Sequence, residues 1–368
     1  MKVAWLMPNL HITGGARVAV ELSDRMVERG HDFSLLIPTG RYRLPYKLSA
    51  KVIECGKPVK NPLIAVLSGM TSMMQKVPEV DVIIGCMPPY ALLAGKIARK
   101  RGIPAVNYVL NDDVHFFDDK SFIRSELLLK AYRSIARRAI KSVTVFVNSH
   151  WTAVRCVSEG GGRPFAIVPH GFNPDVFFPV KDGKSRTGMS DLPGIKNSVR
   201  LITVGRHIRW KGFNDLVDAL NLIDRNKYSF ELIVVSQDEL DISKADFNIT
   251  LNKPDNDREL ADLYRSGEIF IHSSWFEGFG MPPLEAQACG LAVISTDCGG
   301  IREFLRDKEN ALIVSPREPR TLAWAIMKLI CDVGYRNKIA DRGLEDSVEF
   351  TWDKVADRFE DALERLKG

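Results

Sequence analysis

The sequence contains no Cys-x-x-Cys pair. Its six cysteines, Cys55, Cys86, Cys156, Cys289, Cys298 and Cys331, are scattered along the chain, which argues against a zinc ribbon or a disulfide framework and fits reduced, partly buried thiols. No apolar run approaches the length needed to cross a bilayer. The apolar start Val3-Ala4-Trp5-Leu6-Met7 ends at Pro8-Asn9 and runs into a glycine loop, so it reads as a strand and not as a signal peptide. Charge of one sign is not in large excess: 51 Lys and Arg against 46 Asp and Glu leave +5, with no dense basic stripe, and nothing points to nucleic acid. The three spaced glycines of a dinucleotide-binding turn are also missing after the first strand, which weakens an oxidoreductase reading.

What is present is an average globular composition, 45% hydrophobic and 26% charged over 368 residues, enough for two cores and hence two domains. Apolar runs at 33–37, 81–85, 105–110, 143–148 and 166–168 alternate with helical patterns at 16–29 and 90–101, and Ser149 suits an N-cap. A second series has strands at 199–205, 230–235, 248–252, 269–272, 291–295 and 311–314, with helices at 257–266, 319–330 and 351–367. Such alternation implies parallel sheets covered by helices. The stretch 44–77 reads as irregular apart from a Met-rich packed helix at 63–74, and 179–197 is the best linker, rich in Gly, Lys, Asp and Ser.

Four stretches carry chemistry. Residues 275–290, Trp-Phe-Glu-Gly-Phe-Gly-Met-Pro-Pro-Leu-Glu-Ala-Gln-Ala-Cys-Gly, follow a strand and place Glu277 in a loop and Glu285 near a helix start, since Pro282 or Pro283 suits a first turn. Gly205-Arg206 ends a strand and Lys211-Gly212 starts the next helix, running to about Ile223; two cations so placed suit a diphosphate. Gly14 and Gly15 lie in a βα turn whose N–H groups an anion can approach. Asn111-Asp112-Asp113-Val114-His115 closes a strand with polar groups. Between 120 and 141, Arg124, Lys130, Arg133, Arg137, Arg138 and Lys141 alternate with Leu127, Leu128, Leu129, Ile135 and Ile140, a basic amphipathic helix that reads first as a solvated face and second as a contact for anionic lipid.

The segment Glu277 to Glu285, with seven residues between the acids, resembles the signature of the retaining glycosyltransferases of family 4, which share the GT-B fold. Gly205-Arg206 with Lys211-Gly212 resembles that family's phosphate clamp, and Gly14-Gly15-Ala16-Arg17-Val18 its N-terminal glycine loop. The resemblance implies an α/β GT-B chain of two Rossmann-like domains with parallel sheets facing across an interdomain cleft. It divides the chain into an acceptor-side domain, 1–173 with the last helix 352–368 packing back on it, and a nucleotide-sugar domain, 174–351. It further implies a retaining, metal-independent transfer of a sugar from a nucleotide-diphospho-sugar to an acceptor hydroxyl, in polysaccharide or glycolipid biosynthesis. Glu277, Arg206, Lys211 and Asp112 are the expected catalytic residues. Gly14, Gly15, Arg206, Lys211, Gly278, Phe279, Gly280, Met281, Glu285 and Asn252 are expected to bind the donor. Glu277 would hydrogen-bond the donor sugar, Glu285 the ribose, and backbone near Asn252 the base. No cofactor or metal is implied; the partners are the donor and a carbohydrate or lipid-linked acceptor, at a cytoplasmic or peripheral membrane location.

Three departures stand out. Asn111-Asp112 occupies the place of a His-Asp pair, leaving the missing His to Asn111 or His115; His170 stands where relatives carry Asn between the domains; and Ser236-Gln237-Asp238 replaces a Gly-rich turn. Two rivals follow. A glycosidase would use a carboxylate pair but needs no phosphate clamp. A glycosyltransferase-like binding subunit without catalysis is compatible with the missing His.

Overall fold

A computed structural model describes all residues except 12, 43, 45–47, 59–61, 119–122, 181–197 and 368. Most of the linker 179–197 therefore lies outside the described residues. The chain divides into two compact units: Met1–His170 with Trp352–Gly368, and Gly171–Thr351.

The first unit runs β1 (Lys2–Leu6), α1 (Gly14–Glu28), β2 (Asp32–Pro38), β3 (Lys51–Cys55), α2 (Pro62–Lys76), β4 (Val82–Cys86), α3 (Pro88–Arg101), β5 (Ala105–Val109), α4 (Glu126–Ser142), β6 (Thr144–Val147), α5 (His150–Ser158) and β7 (Ala166–Ile167). Its seven-stranded sheet has the order β3-β2-β1-β4-β5-β6-β7, and every pairing is parallel. Helices on both faces bury the central strands, so these read as continuous apolar runs: β4 is buried along its whole length. The last helix of the chain, Trp352–Lys367, belongs to this unit. Its Phe359 packs against Trp5 and Tyr108 with ring centroids 5.8 and 6.4 Å away, and Arg25 of α1 and Arg29, the residue that caps α1, pair with its Asp353 and Glu360 at 2.8 and 2.6 Å.

The second unit runs β8 (Val199–Val204), α6 (Phe213–Asn221), β9 (Phe230–Val235), β10 (Ile249–Asn252), α7 (Asp257–Arg265), β11 (Ile269–His272), α8 (Met281–Ala288), β12 (Ala292–Thr296), β13 (Leu312–Val314), α9 (Pro319–Cys331) and α10 (Val333–Ser347); the helix Trp352–Lys367 of the first unit is then α11. Its sheet order is β10-β9-β8-β11-β12-β13, again parallel throughout. Both sheets change direction of winding beside their first strand, at β1/β4 and at β8/β11. In a parallel sheet the helices leaving two such neighbours go to opposite faces, which opens a crevice at their carboxyl ends.

Several expectations need correction. The stretch 44–77 contains a strand, β3, at the sheet edge; only Cys55 of its five residues is buried, so it lacks the apolar run of a central strand. A further helix, α10, is not expected from the sequence, because Gly334, Gly343 and a polar composition mask its pattern; Gly343 packs closely on α8, where a Cβ would stand 2.8 Å from Gln287 Nε2 and make that side chain shift. The basic helix begins at Glu126, with Ser125 as its N-cap and residues 123–125 not helical, while 120–122 of the expected stretch lie outside the described residues. Lys211 closes a short 3-10 turn, Arg209–Lys211, and does not start the helix; α6 begins at Phe213 and ends at Asn221, not near Ile223.

Candidate active site

In the second unit the switch point brings the loop after β8 beside the loop after β11. Strand register fixes this: Leu201 pairs with Ile269 and Ile202 with Phe270, and Thr203 donates to the Ile271 carbonyl at 2.8 Å. The two loops are then clasped. Trp275 N–H donates to the Trp210 carbonyl at 2.8 Å, and Trp210 stacks on Phe276 with centroids 4.7 Å apart. Glycine is required at the clasp: Gly212 has φ 67°, and a Cβ there would stand 2.0 Å from the Ser273 carbonyl oxygen.

At the centre lies Glu277. It is 8% exposed, and its Oε1 accepts from Lys211 Nζ at 2.5 Å and from Ser274 Oγ at 2.7 Å, with His272 Nε2 at 3.6 Å. Burial would raise this carboxyl, but Lys211, His272 and the hydrogen bonds from Lys211 and Ser274 outweigh it and hold Glu277 below the usual carboxylate value. His272, the last residue of β11, responds in the opposite sense. Burial pushes its imidazole down to about 4, Lys211 adding to the effect and Glu277 opposing it. A neutral imidazole therefore backs an ionised carboxylate. The loop that carries Glu277 is locked to the end of β12: Glu277 N–H donates to the Cys298 carbonyl at 2.7 Å, and Gly300 N–H to the Glu277 carbonyl at 2.9 Å. Gly300 also cannot carry a side chain, since a Cβ would stand 2.0 Å from the Gly278 carbonyl oxygen.

Arg206 does not meet Glu277. Its Nε donates to Asp238 Oδ2 at 2.7 Å, and the side chain remains 38% exposed. Asp238 sits in the departing loop after β9. Burial works against its ionisation, but the hydrogen bonds from Arg206 and His207 hold it down to about 2. Glu285 falls in the second turn of α8 and not at its start; it is 2% exposed, and Tyr264 Oη donates to it at 3.3 Å. Phe279 is a core residue, its ring 5.2 Å from Phe304, so only its backbone is offered to a ligand. Gly278 and Gly280 are buried around it, and Met281 is half-buried at the start of α8. Asn252 ends β10 half-buried, and its carbonyl accepts from Ser236 N–H at 2.9 Å.

The remaining expected residues belong to the first unit. Gly14 and Gly15 open α1, where Thr13 Oγ1 caps the Ala16 N–H and does not use theirs. Asp112 is 6% exposed and engaged: Arg155 Nε donates to it at 2.6 Å and His115 Nδ1 lies 3.2 Å from both its oxygens. His115 also faces Glu159 at 3.5 Å, while Asn111 turns its Oδ1 onto the Asp112 N–H at 2.8 Å. Neighbouring Asp113 buries one oxygen with no hydrogen bond, and burial together with the Asp112 charge pushes it up to about 8. His170 is buried, its Nε2 3.2 Å from Asn148 Nδ2. Sequence reasoning named neither His272 nor Arg155 as part of a site. Two of the six expected surface cations are also spoken for, Arg133 by Asp118 at 2.7 Å and Arg137 by Glu159 at 2.8 Å. Among the described residues no group of three or more His, Cys, Asp or Glu is placed to hold a metal ion, and no helix is long and apolar enough to cross a membrane.

The chain is similar to known proteins in both units. The family described as "Glycosyltransferase Family 4" matches residues 12–176, and that described as "Glycosyl transferases group 1" matches 198–332. An uncharacterized glycosyltransferase of Methanocaldococcus jannaschii is 25% identical over 200 residues, 52% of this chain and 51% of its own length. A D-inositol 3-phosphate glycosyltransferase of Stackebrandtia nassauensis is 33% identical over 224 residues, 54% of this chain and 49% of its own. The chain thus spans about half the length of the curated relatives it matches. Among solved structures, a sucrose-phosphate synthase from Thermosynechococcus elongatus superposes with a TM-score of 0.80 at 17% identity, covering 99% of this chain and 98% of that one. The Anabaena protein HepE in complex with UDP-glucose gives 0.76 at 18%, covering 99% and 100%. At such identities the likeness is one of fold, the two Rossmann-like domains of GT-B.

Proposed function

The chain belongs to the group 1 glycosyltransferases, and from that premise we propose that its second unit binds a nucleotide-diphospho-sugar and transfers the sugar, with retained anomeric configuration and without a catalytic metal, to an acceptor hydroxyl. The observation that carries this reading is the Lys211–Glu277 pair at the β8/β11 switch point. A departing nucleoside diphosphate gathers negative charge on its β-phosphate, and fixed cations stabilise that charge most where water is excluded. Lys211 has donors to spare after serving Glu277, and Arg206 has its Nη groups to spare after serving Asp238. Glu277, kept ionised, accepts from a hydroxyl of the donor sugar. Glu285 takes the ribose, backbone near Asn252 and the loop 278–281 the remaining donor contacts, and the leaving phosphate takes the acceptor's proton. UDP is the first nucleotide to try, because HepE was solved with UDP-glucose.

Calorimetry tests this with UDP, GDP and ADP and their nucleosides. Arg206→Ala and Lys211→Ala should each weaken diphosphate binding by roughly 1.5–3 kcal/mol, the worth of a charge-assisted hydrogen bond, and leave nucleoside binding nearly unchanged. Equal losses for both ligands would make the two residues structural. Donor hydrolysis or transfer by the wild type separates an enzyme from a binding subunit.

A lipid-linked acceptor, in glycolipid or polysaccharide assembly at the cytoplasmic membrane face, is favoured by one further observation. Leu127 and Leu128 are 77% and 61% exposed at the start of α4, with Arg124 and Lys130 exposed within four residues of them in sequence and Arg138 exposed farther along the helix. Exposed apolar tips on a helix that carries exposed cations suit an anionic lipid surface.

A further inference from the structure

The loop after β9 is polar, Ser236-Gln237-Asp238, and it is built around one oxygen. Asp238 Oδ2 accepts from Arg206 Nε at 2.7 Å and from His207 N–H at 3.1 Å, and His207 Nδ1 lies 3.0 Å from it. The loop that presents this carboxylate is itself fixed. Asp238 N–H donates to Ser236 Oγ at 3.0 Å while Ser236 Oγ lies 3.0 Å from the Asp238 carbonyl. Ser236 N–H reaches the Asn252 carbonyl at 2.9 Å, and Gln237 Nε2 the Pro254 carbonyl at 2.8 Å. Asp238 thus ties the loop after β8 to the loop after β9, which Ser236 and Gln237 tie in turn to the end of β10.

Two roles are open to a carboxylate on a phosphate-binding arginine. It can compete with the phosphate for the guanidinium, or it can aim it. A competitor would imitate the phosphate and take the planar fork through two parallel bonds. Asp238 instead holds the Nε edge through a single oxygen, and that oxygen is shared with His207. The Nη groups are left to a ligand, on a side chain that is 38% exposed. An arginine stem has four torsions to freeze, so holding its Nε edge removes much of the entropy that a ligand would otherwise have to overcome. We propose that Asp238 is a positioning residue for the diphosphate clamp, holding Arg206 by Nε so that its Nη groups are presented to the donor's phosphates. This rests on the reading of Arg206 as a clamp residue.

The test is a mutant cycle in the full chain, read by calorimetry with the tightest of UDP, GDP and ADP and with the matching nucleoside. Asp238→Ala should weaken diphosphate binding about tenfold, as expected for the loss of one charge-assisted hydrogen bond, and leave nucleoside affinity within twofold. Asp238→Asn, which keeps an acceptor for Nε and the loop's shape, should recover most of the loss. In an Arg206→Ala background Asp238→Ala should add nothing. Tighter diphosphate binding by Asp238→Ala would make Asp238 a competitor and overturn the proposal. So would an undiminished loss in the Arg206→Ala background, or an equal loss of nucleoside binding, since Asp238 would then act through the loop and not through Arg206. If Arg206→Ala alone leaves diphosphate affinity unchanged, the clamp reading itself fails, a result distinguishable from the other three.

Discussion

Replacing Lys211 by Met keeps the stem beside Trp210, whose ring centroid lies 4.4 Å from Nζ, and removes the charge facing Glu277. Glu277 is then a carboxylate 8% exposed, with Ser274 at 2.7 Å as its remaining close donor. Breaking a buried pair by deleting one partner costs about 3–5 kcal/mol. The Ser274 bond and the partial exposure of Lys211, 24% at its side chain, place the expected loss near the lower end, about 3 kcal/mol. For a unit of this size that corresponds to a melting temperature lowered by roughly 6–12 °C. The pH dependence has a definite sign. In the wild type the Glu277 value is depressed, so its contribution is present above the unfolded carboxylate value and is lost as pH falls through the folded one. In the variant burial acts unopposed by Lys211 and raises the value, so the penalty is present at neutral pH and disappears as acid neutralises the group. The gap between the two proteins should narrow on going from pH 7 to pH 5, and Glu277→Gln added to Lys211→Met should recover most of the stability at pH 7. Thermal melts across that range measure both effects. Equal melting temperatures at pH 7, or a gap that acid and the second substitution leave unchanged, would refute a coupled buried pair.

His272 supplies a second pH signature. Its imidazole is held down to about 4, so between the ordinary value of 6.5 and 4 the unfolded chain binds a proton that the folded chain refuses. Stability should fall with acid in that window, by up to roughly 3 kcal/mol, and stay flat above pH 7; His272→Leu should remove that component, and an identical acid slope in the variant would refute it. On α4, Leu127→Ser with Leu128→Ser should abolish sedimentation with anionic vesicles, and neutral vesicles should not bind the wild type, since each cation at such a surface contributes about 1 kcal/mol. Equal, negligible binding to both vesicle types leaves α4 a solvated face.

The alternation of strands and helices was legible because both sheets are parallel and covered, so their central strands appear as unbroken apolar runs such as Val82–Cys86. Where that cause is missing, the signal is missing. Strand β3 sits at an edge and carries Lys51 and Glu54 among its five residues, and α10 holds two glycines and the buried Arg336. Motif spacing named Lys211 and Glu277 but not their pairing, which spans 66 positions and depends on β8 lying beside β11. His272 left a faint trace, a polar residue closing the apolar strand Ile269–His272. Asp238 left a plainer one, a departure from a Gly-rich turn, whose partner only the sheet order supplies.

Seen together, the two cations share a feature that spacing could not reveal: each has its own carboxylate, Asp238 for Arg206 and Glu277 for Lys211. The proposed clamp is therefore close to neutral as a whole. Attraction of a diphosphate from a distance is correspondingly weak, because paired charges fall off faster than single ones and salt screens what remains over about 10 Å. Selectivity must then come at contact, from donors already aimed and from carboxylates that stay ionised in place. The two pairs differ in what they can do there. Asp238 meets Arg206 along one edge and leaves the fork; Glu277 meets the tip of Lys211, so on the proposed reading a phosphate and a sugar hydroxyl would engage the two ends of the same ion pair. On that reading a substitution at Glu277 should change both the sugar contact and the field at the leaving phosphate, whereas one at Asp238 should change the phosphate contact alone.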